Sequence, residues 1–181
     1  GLLLSAGLFG MAAGSIFLAP LADKIGRRLL ILICLVIAGI SMLACAYVNS
    51  HSMLAMLRFV TGIGVGGILA SSNVLASEYA NTRWRSFAVS LMSTGYGIGA
   101  TLGGILSLTL IEHLGWRSIF LAGGITTIAM LLVSIWLLPE SLDYLLVKRP
   151  QQALARMNSV LQRMGLNHLD ALPDYAKSDE K

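Results

Sequence analysis

The sequence predicts an all-α membrane protein, with five transmembrane helices followed by a polar tail. Of its 181 residues, 56% are hydrophobic and only 12% are charged, whereas an average soluble domain carries about 25% charged residues. Five apolar runs reach the ~20 residues that a helix needs to cross a bilayer. Basic residues concentrate in alternate connections between these runs. Together these observations disfavour a disordered chain, a secreted disulfide scaffold and a soluble nucleic-acid-binding protein.

The predicted spans share a nearly complete lack of charge. They cover residues 2–21, 29–48, 53–77, 87–111 and 118–138, and Arg58 in the third is their only charged side chain. Because backbone polar groups in lipid must be satisfied within the segment, each run is expected to form a helix. The connections are short, so helices that follow each other in sequence are expected to be antiparallel neighbours.

The basic residues predict the orientation of the bundle. The first and third connections contain Lys24, Arg27, Arg28, Arg83 and Arg85, whereas the second contains no Lys or Arg and the fourth contains only Arg117. Cytoplasmic loops carry the excess of Lys and Arg, so the first and third connections and the tail are expected in the cytoplasm. The net charge of +4 then reflects membrane topology, and no nucleic-acid partner is expected.

The chain divides into a transmembrane bundle, residues 1–138, and a cytoplasmic segment, residues 139–181. Between Pro150 and Gly165, apolar residues recur at helical spacing and predict a short amphipathic helix over residues 151–164. Two arginines on its polar face favour a position along the cytoplasmic surface or the lipid headgroups. The last dozen residues are expected to be frayed.

Glycines spaced four apart predict close helix contacts. They comprise Gly10 and Gly14 in the first span, Gly62 and Gly66 in the third, and Gly95, Gly99 and Gly103 in the fourth. Lipid supplies no hydrophobic drive for helix association, so close approach of backbones must provide it. The pattern fits a static packed bundle and a sliding interface equally well.

Opposite charges recur at the ends of four spans and predict a conformational latch. The candidate residues are Asp23, Arg27, Arg28, Glu78, Arg85 and Glu140. Such a network would hold one state of a bistable protein and break in the other. The alternative is a set of exposed loop charges worth about 0–1 kcal/mol per pair. Arg28, with Lys24 and Arg83, also has a simpler interpretation as a determinant of topology.

Arg58 is a candidate functional residue because burying a charge in a bilayer is costly. It is expected either to face a cavity or to extend its side chain to the headgroups. Asn73 and Tyr96 are polar residues inside spans, which would line a substrate path or form helix-to-helix hydrogen bonds. Histidines occur only in connections and the tail, without a second ligand nearby, so neither a metal site nor a cofactor is expected.

Residues 19–28, Ala-Pro-Leu-Ala-Asp-Lys-Ile-Gly-Arg-Arg, resemble the signature loop between the second and third helices of the major facilitator superfamily. Arg58 with the following glycines resembles that family's fourth helix, and residues 78–85 resemble its next cytoplasmic loop. Pro139-Glu-Ser141 resembles the motif that closes its sixth helix. The resemblance implies that the five spans are helices two to six of an N-terminal six-helix half.

A finer resemblance comes from residues 139–150, Pro-Glu-Ser-Leu-Asp-Tyr-Leu-Leu-Val-Lys-Arg-Pro, and from Arg58-Phe-Val-Thr-Gly. Both are similar to the aromatic acid:proton symporter branch of the family. This implies proton-coupled uptake of a small organic anion, an aromatic carboxylate, by alternating access in a bacterial inner membrane. It also implies a missing C-terminal half as partner.

Three other functions stay open at this point. One is a sugar or other organic-acid carrier of the same superfamily, because the Pro-Glu-Ser element is shared. Another is a membrane assembly or regulatory protein that packs through its glycine faces. A membrane-embedded enzyme ranks last, because the spans contain neither a His/Asp/Glu cluster nor a Ser-His-Asp set.

Overall fold

A computed structural model describes residues 1–81 and 83–148, together with Leu154, Met157, Asn158 and Gln162. Its helices are α1 (Leu2–Ile25), α2 (Arg27–Tyr47), α3 (His51–Tyr79), α4 (Arg85–Leu114), α5 (Arg117–Leu137) and α6 (Leu142–Lys148). Helices α1 to α5 are long and apolar enough to cross a membrane. The predicted all-α fold with five spans is therefore confirmed.

Several spans extend beyond their predicted ends into charged sequence. Helix α1 continues through Asp23 to Ile25, and α2 begins at Arg27. Gly26 alone separates them, at φ 100° and ψ 140°. Residues other than glycine rarely adopt this backbone conformation. The prediction ended each span at its first charged residue. A helix can continue beyond the hydrocarbon core of the bilayer, because its backbone hydrogen bonds do not depend on lipid.

Helix α3 lies between α1 and α2, and α2 in turn packs against α5. Helix α1 makes its most extensive contact with α3, not with its neighbour in sequence, α2. Helices that follow each other in sequence are in contact, as expected, but α1 contacts α3 far more extensively than it contacts α2. The reason lies in the small residues on the facing sides of α1 and α3, which let their backbones approach closely.

The contact between α1 and α3 is backbone against backbone. A Cβ atom added to Gly14 would overlap the carbonyl oxygen of Ile63, and one added to Gly66 would overlap that of Met11. Gly10 and Gly62 face each other in the same way, since a Cβ added to Gly62 would lie 3.0 Å from the Gly10 Cα. Residues with higher numbers in α1 contact residues with higher numbers in α3, so the two helices run parallel.

The glycines of α4 have a different environment. Around Gly95, Gly99 and Gly103, an added Cβ would meet no atom within 4 Å in the described part of the chain. Helix α4 also contains no buried residue. Within the described chain these three glycines therefore do not form a helix interface.

Helix α6 was not predicted from the sequence. It begins after the buried Ser141, and Leu145 is fully buried against Met157. Leu142, Leu145 and Leu146 have helical spacing, which was the available signal. The predicted helix over residues 151–164 lies outside the described residues except for Leu154, Met157, Asn158 and Gln162, which are helical.

Candidate functional site at the charged end

Three connections meet at one end of the bundle, which we call the charged end. They are the turn at Gly26 between α1 and α2, the end of α3 at Glu78, and the segment Glu140–Ser141 before α6. The opposite end brings together Leu3, Asn49 and Trp116. Connections that lie alternately at the two ends of the bundle are what a chain that crosses a membrane five times would produce.

Arg27 pairs with two carboxylates at the charged end. Its Nη2 atom lies 3.1 Å from Oδ1 of Asp23, one turn earlier across Gly26, and its Nη1 atom contacts Oε1 of Glu78. The side chains of Arg27 and Glu78 are 13% and 6% exposed, whereas that of Asp23 is 66% exposed. Since screening by water is weakest for buried charges, Glu78 is the stronger electrostatic partner of Arg27.

The second oxygen of Glu78 holds the start of α6. Its Oε2 atom accepts hydrogen bonds from the Ser141 hydroxyl at 2.7 Å and from the backbone N–H of Leu142 at 3.1 Å. The Ser141 Oγ in turn accepts a bond from the N–H of Tyr144 at 3.2 Å. Two of the first N–H groups of α6, which lack partners within the helix, are thereby satisfied. One carboxylate thus links α2, α3 and α6.

Glu140 holds the start of α2 in a similar way. Its Oε1 atom accepts bonds from the N–H of Arg28 and the N–H of Ser141, both at 3.1 Å. A carboxylate at a helix N-terminus is favoured by the helix dipole. The Tyr79 hydroxyl donates to the Glu140 carbonyl at 2.7 Å, which also anchors this segment to α3.

The guanidinium groups of Arg28 and Arg85 donate hydrogen bonds to backbone carbonyls. The Arg28 guanidinium donates to the carbonyl of Ile135 at 2.6 Å. Arg85 Nε donates to the carbonyl of Ser77 at 3.0 Å, so it satisfies an orphan carbonyl at the end of α3. Five of the six predicted latch residues are therefore connected by these contacts: Asp23, Arg27, Arg28, Glu78 and Glu140. Arg85 lies beside them and bonds to a backbone carbonyl of α3.

Arg58 lies toward the opposite end of α3 and is half-buried. Its guanidinium carbon is 5.4 Å from the centroid of the Phe120 ring on α5, a distance typical of a cation–π contact. Asn73 follows fifteen residues later in α3, about 22 Å along the axis, and Tyr96 is 53% exposed on α4. A single small anion therefore cannot contact Arg58 and Asn73 at the same time.

Sequence reasoning missed several groups at both ends. At the charged end they are Tyr79 and Ser141, which follow Glu78 and Glu140 directly in sequence. At the opposite end, the Arg117 guanidinium donates to the Asn49 side chain and lies 5.0 Å from the Trp116 ring centroid. This contact ties the connection between α2 and α3 to the start of α5.

The charged end is built to hold helices together. The carboxylates of Glu78 and Glu140 accept bonds from hydroxyl and backbone N–H groups, and Glu78 also contacts a guanidinium. In the described residues no group of three His, Cys, Asp or Glu side chains could hold a metal ion. The arrangement can therefore stabilise one conformation and release it when these contacts break.

The profile of the Major Facilitator Superfamily matches residues 1–171. The chain is 40% identical over 167 residues to a gallate transporter of Pseudomonas putida, covering 91% of this chain and 36% of that protein. It is 35% identical to the 4-hydroxybenzoate transporter PcaK of Acinetobacter baylyi, covering 100% of this chain and 39% of that protein. The chain thus spans somewhat more than a third of these relatives.

Solved structures show a similar fold. The proton:xylose symporter XylE bound to 6-bromo-6-deoxy-D-glucose superposes with a TM-score of 0.76 at 20% identity, over 88% of this chain and 39% of that one. The inward-open form of XylE from E. coli gives a TM-score of 0.73 at 21% identity, over 88% and 41% of the two chains. At this identity the likeness concerns the fold alone.

Proposed function

This chain belongs to the major facilitator superfamily, and we propose that it forms helices two to six of a proton-coupled carrier for small aromatic carboxylates. It is a multi-pass membrane protein of a transporter family, not an enzyme. Transport would proceed by alternating access between this half and a C-terminal half, with the binding site near the bilayer midplane. The observation that carries the proposal is the network at the charged end, because a carrier needs contacts that can break.

The proposed latch centres on Arg27 and Glu78. Their contact joins α2 to α3, and the bonds of Glu78 and Glu140 extend the link to the segment that begins α6. When the charged end opens, some of these contacts must be exchanged for water. Since each protein contact is only slightly better than its hydrated counterpart, the two states can differ by a few kcal/mol, as transport requires.

The substrate class is supported by the relatives. Their names specify gallate, 4-hydroxybenzoate and, for a protein of Acinetobacter baylyi that is 32% identical over 159 residues, benzoate. Arg58 is the one charged residue within the apolar runs of the described spans, and a guanidinium pairs well with a carboxylate. We assign it to the substrate or to a proton-coupling acid from the rest of the carrier. Asn73 and Tyr96 would line the path at other levels.

We place the charged end and residues 139–181 in the cytoplasm of a bacterium, and the bundle, residues 1–138, in its inner membrane. The remainder of the carrier would also cover the open face of α4. The glycines Gly95, Gly99 and Gly103 leave space there for another helix. This accounts for their spacing, which has no partner in the described part of the chain.

Uptake measurements test the proposed function. The full-length carrier, expressed in cells without their own aromatic-acid uptake, should accumulate labelled 4-hydroxybenzoate, and a protonophore should abolish the accumulation. Unlabelled benzoate and gallate should compete, whereas xylose should not. Competition by xylose alone would favour the sugar carrier, and accumulation that resists the protonophore would exclude proton coupling.

The alternative of an assembly or regulatory protein is favoured by one observation, the exposed glycine face of α4. In that case the chain would act without a second half. The two functions make different predictions for the full reading frame and for uptake: several further spans and saturable uptake support the carrier. A chain that copurifies with another membrane protein and mediates no uptake supports the alternative.

A further inference from the structure

Arg117 is the one lysine or arginine in the second and fourth connections predicted from the sequence, which lie at the opposite end of the bundle. The preference of basic residues for the cytoplasmic side therefore gives no reason for a cation at this position. Its guanidinium donates to the side chain of Asn49, on the connection between α2 and α3, and lies 5.0 Å from the centroid of the Trp116 ring. Arg117 thus joins these two connections to each other and to an aromatic ring.

The rings of Trp116 and Phe120 form an edge-to-face pair at the start of α5. Their centroids are 5.9 Å apart and the ring planes make an angle of 87°. Aromatic pairs favour this geometry, and residues four apart in a helix lie on the same face. Each ring in such a pair is less free to rotate about its side-chain bonds, so Trp116 limits the orientations of Phe120.

Phe120 also contacts Arg58 on α3. The guanidinium carbon of Arg58 lies 5.4 Å from the Phe120 ring centroid, and both residues are half-buried. A cation is attracted to the face of an aromatic ring and not to its edge, so the orientation of Phe120 determines where the guanidinium is most stable. A continuous series of contacts therefore leads to Arg58, and we call it the aromatic series. In order, its members are Asn49, Arg117, Trp116, Phe120 and Arg58.

We propose that Trp116 is a positioning residue for Arg58. It restricts the Phe120 ring, and the face of that ring in turn restricts the guanidinium. Arg117 and Asn49 hold the indole ring in place from the other side of the series. The inference rests on the proposed function, in which Arg58 pairs with the substrate carboxylate. A guanidinium bonds both oxygens of a carboxylate only when its planar fork faces them, so its orientation matters for binding.

The flexibility of an arginine side chain gives the energetic reason for such positioning. A long side chain loses rotamer freedom when it binds a ligand, and this loss weakens binding. Contacts that already restrict Arg58 in the free carrier reduce that loss. The aromatic series should therefore lower the apparent substrate constant without touching the substrate. Since the series acts on binding and not on the motion of the helices, the maximal uptake rate should depend on it only weakly.

A simpler role for Trp116 is that of an aromatic residue at the membrane interface, because it is 45% exposed. Trp136, at the other end of α5, separates the two roles. It is 81% exposed, and in the described part of the chain it contacts neither a cation nor another ring. Trp136→Leu is therefore a matched control on the same helix. Loss of an interfacial tryptophan should affect both variants, whereas loss of positioning should affect Trp116→Leu alone.

Uptake of labelled 4-hydroxybenzoate by the full-length carrier, normalised to membrane abundance, tests the proposal. Trp116→Leu should raise the apparent substrate constant about two- to tenfold, the range expected for loss of one aromatic contact, with little change in the maximal rate. Trp116→Phe, which keeps a ring, should restore most of the wild-type affinity, and Trp136→Leu should leave it unchanged. In a Phe120→Leu background, Trp116→Leu should add less than half of its own effect, because the ring that connects it to Arg58 is gone.

Thermal unfolding of the same carrier purified in detergent tests the series without transport. Trp116→Leu and Arg58→Gln together should lower the apparent Tm by about 1 °C less than the sum of their separate effects. Additive effects on the Tm would overturn the proposal. If the wild type takes up no aromatic acid, the proposed function fails. In that case coupled effects on the Tm still support the positioning of Arg58, and additive effects still exclude it.

Two kinetic results would also overturn the proposal. One is a Trp116→Leu carrier that loses only maximal rate, and the other is a Trp136→Leu carrier whose apparent substrate constant rises as much. Asn49→Ala leaves every ring in place and frees the Arg117 guanidinium, so it should raise the constant by a smaller factor. It replaces Trp116→Leu if that variant does not reach the membrane, and an unchanged constant would then exclude the positioning role.

Discussion

The carboxylate of Glu140 accepts a hydrogen bond from the backbone N–H of Arg28 at 3.1 Å, across 112 residues of sequence. The bond places an anion at the N-terminus of α2, where the helix dipole favours it. The carboxylate packs closely against Gly26, since a Cβ at that position would lie 3.1 Å from Oε2 of Glu140. The turn between α1 and α2 and the segment before α6 are therefore in direct contact.

Gly26→Ala is expected to destabilise the charged end for two reasons. The φ of 100° is unfavourable for a residue with a side chain, at about 1–3 kcal/mol, and the added methyl crowds Glu140. Gly115 provides a matched control, because its φ is also positive, at 79°, but an added Cβ would meet no described atom within 4 Å. Thermal unfolding of both variants should show the larger Tm loss for Gly26→Ala. Equal losses would mean that the Glu140 contact contributes nothing.

Glu78→Gln should impair transport more than Asp23→Asn. Glu78 is 6% exposed and Asp23 is 66% exposed, so water screens the pair of Arg27 with Asp23, which is worth about 0–1 kcal/mol. Removing one partner of a buried pair is far more disruptive, at about 3–5 kcal/mol. Uptake per molecule should fall at least about tenfold for Glu78→Gln, since 1.4 kcal/mol is a factor of ten, and only severalfold for Asp23→Asn.

Abundance in the membrane separates the latch from simple misfolding in these variants. If the network is a latch, uptake of labelled 4-hydroxybenzoate should fall while the amount of carrier detected by immunoblot changes little. Uptake that falls only in proportion to abundance would reduce the network to a structural role. Equal uptake by both variants and the wild type would mean that neither carboxylate contributes to transport.

Gly14→Ala should weaken the contact between α1 and α3, because the new methyl would overlap the Ile63 carbonyl. Overpacking of this kind costs about 1–3 kcal/mol. Gly7→Ala is the matched control in the same helix, since its Cβ would lie 3.9 Å from the Arg58 carbonyl oxygen, an ordinary contact. The yield of monodisperse protein in detergent and its Tm should fall for Gly14→Ala alone. A similar loss in Gly7→Ala would show that α1 tolerates no added volume anywhere.

The five spans were predictable because hydrophobic length alone decides whether a helix can cross a bilayer. The pairing of helices was not, since each span is apolar all round and sequence does not say which face meets which neighbour. The glycines of α1 and α3 meet each other, whereas Gly99 in α4 has the same spacing and an open face. Similarly, charge predicted the meeting of Arg27 with Glu78, but only geometry shows Arg85 bonding to the Ser77 carbonyl.

Cysteine labelling in intact cells tests the orientation. We expect Ser50→Cys, at the opposite end, to react with a membrane-impermeant thiol reagent added outside. Arg85→Cys, at the charged end, should react only after the cells are permeabilised. Native Cys34 and Cys45 are buried, so they give little background. Strong labelling of position 85 from outside would reverse the proposed topology.

The environment of Arg58 leads to the last prediction. Its guanidinium lies 5.4 Å from the Phe120 ring centroid, so the ring stabilises the cation and limits its movement. If Arg58 binds the substrate carboxylate, Arg58→Lys keeps the charge but loses the planar fork and should raise the apparent substrate constant. Arg58→Gln loses both and should nearly abolish uptake.

Phe120→Leu extends this test without touching the charge of Arg58. Losing the ring removes a contact worth about 0.5–2 kcal/mol, so the guanidinium is held less firmly and the apparent substrate constant should rise severalfold. Kinetics of 4-hydroxybenzoate uptake, normalised to membrane abundance, measure all three variants. If Arg58 only extends to the headgroups, Lys should serve as well as Arg, because either head reaches the interface. Unchanged uptake in Arg58→Gln would remove Arg58 from the transport mechanism altogether.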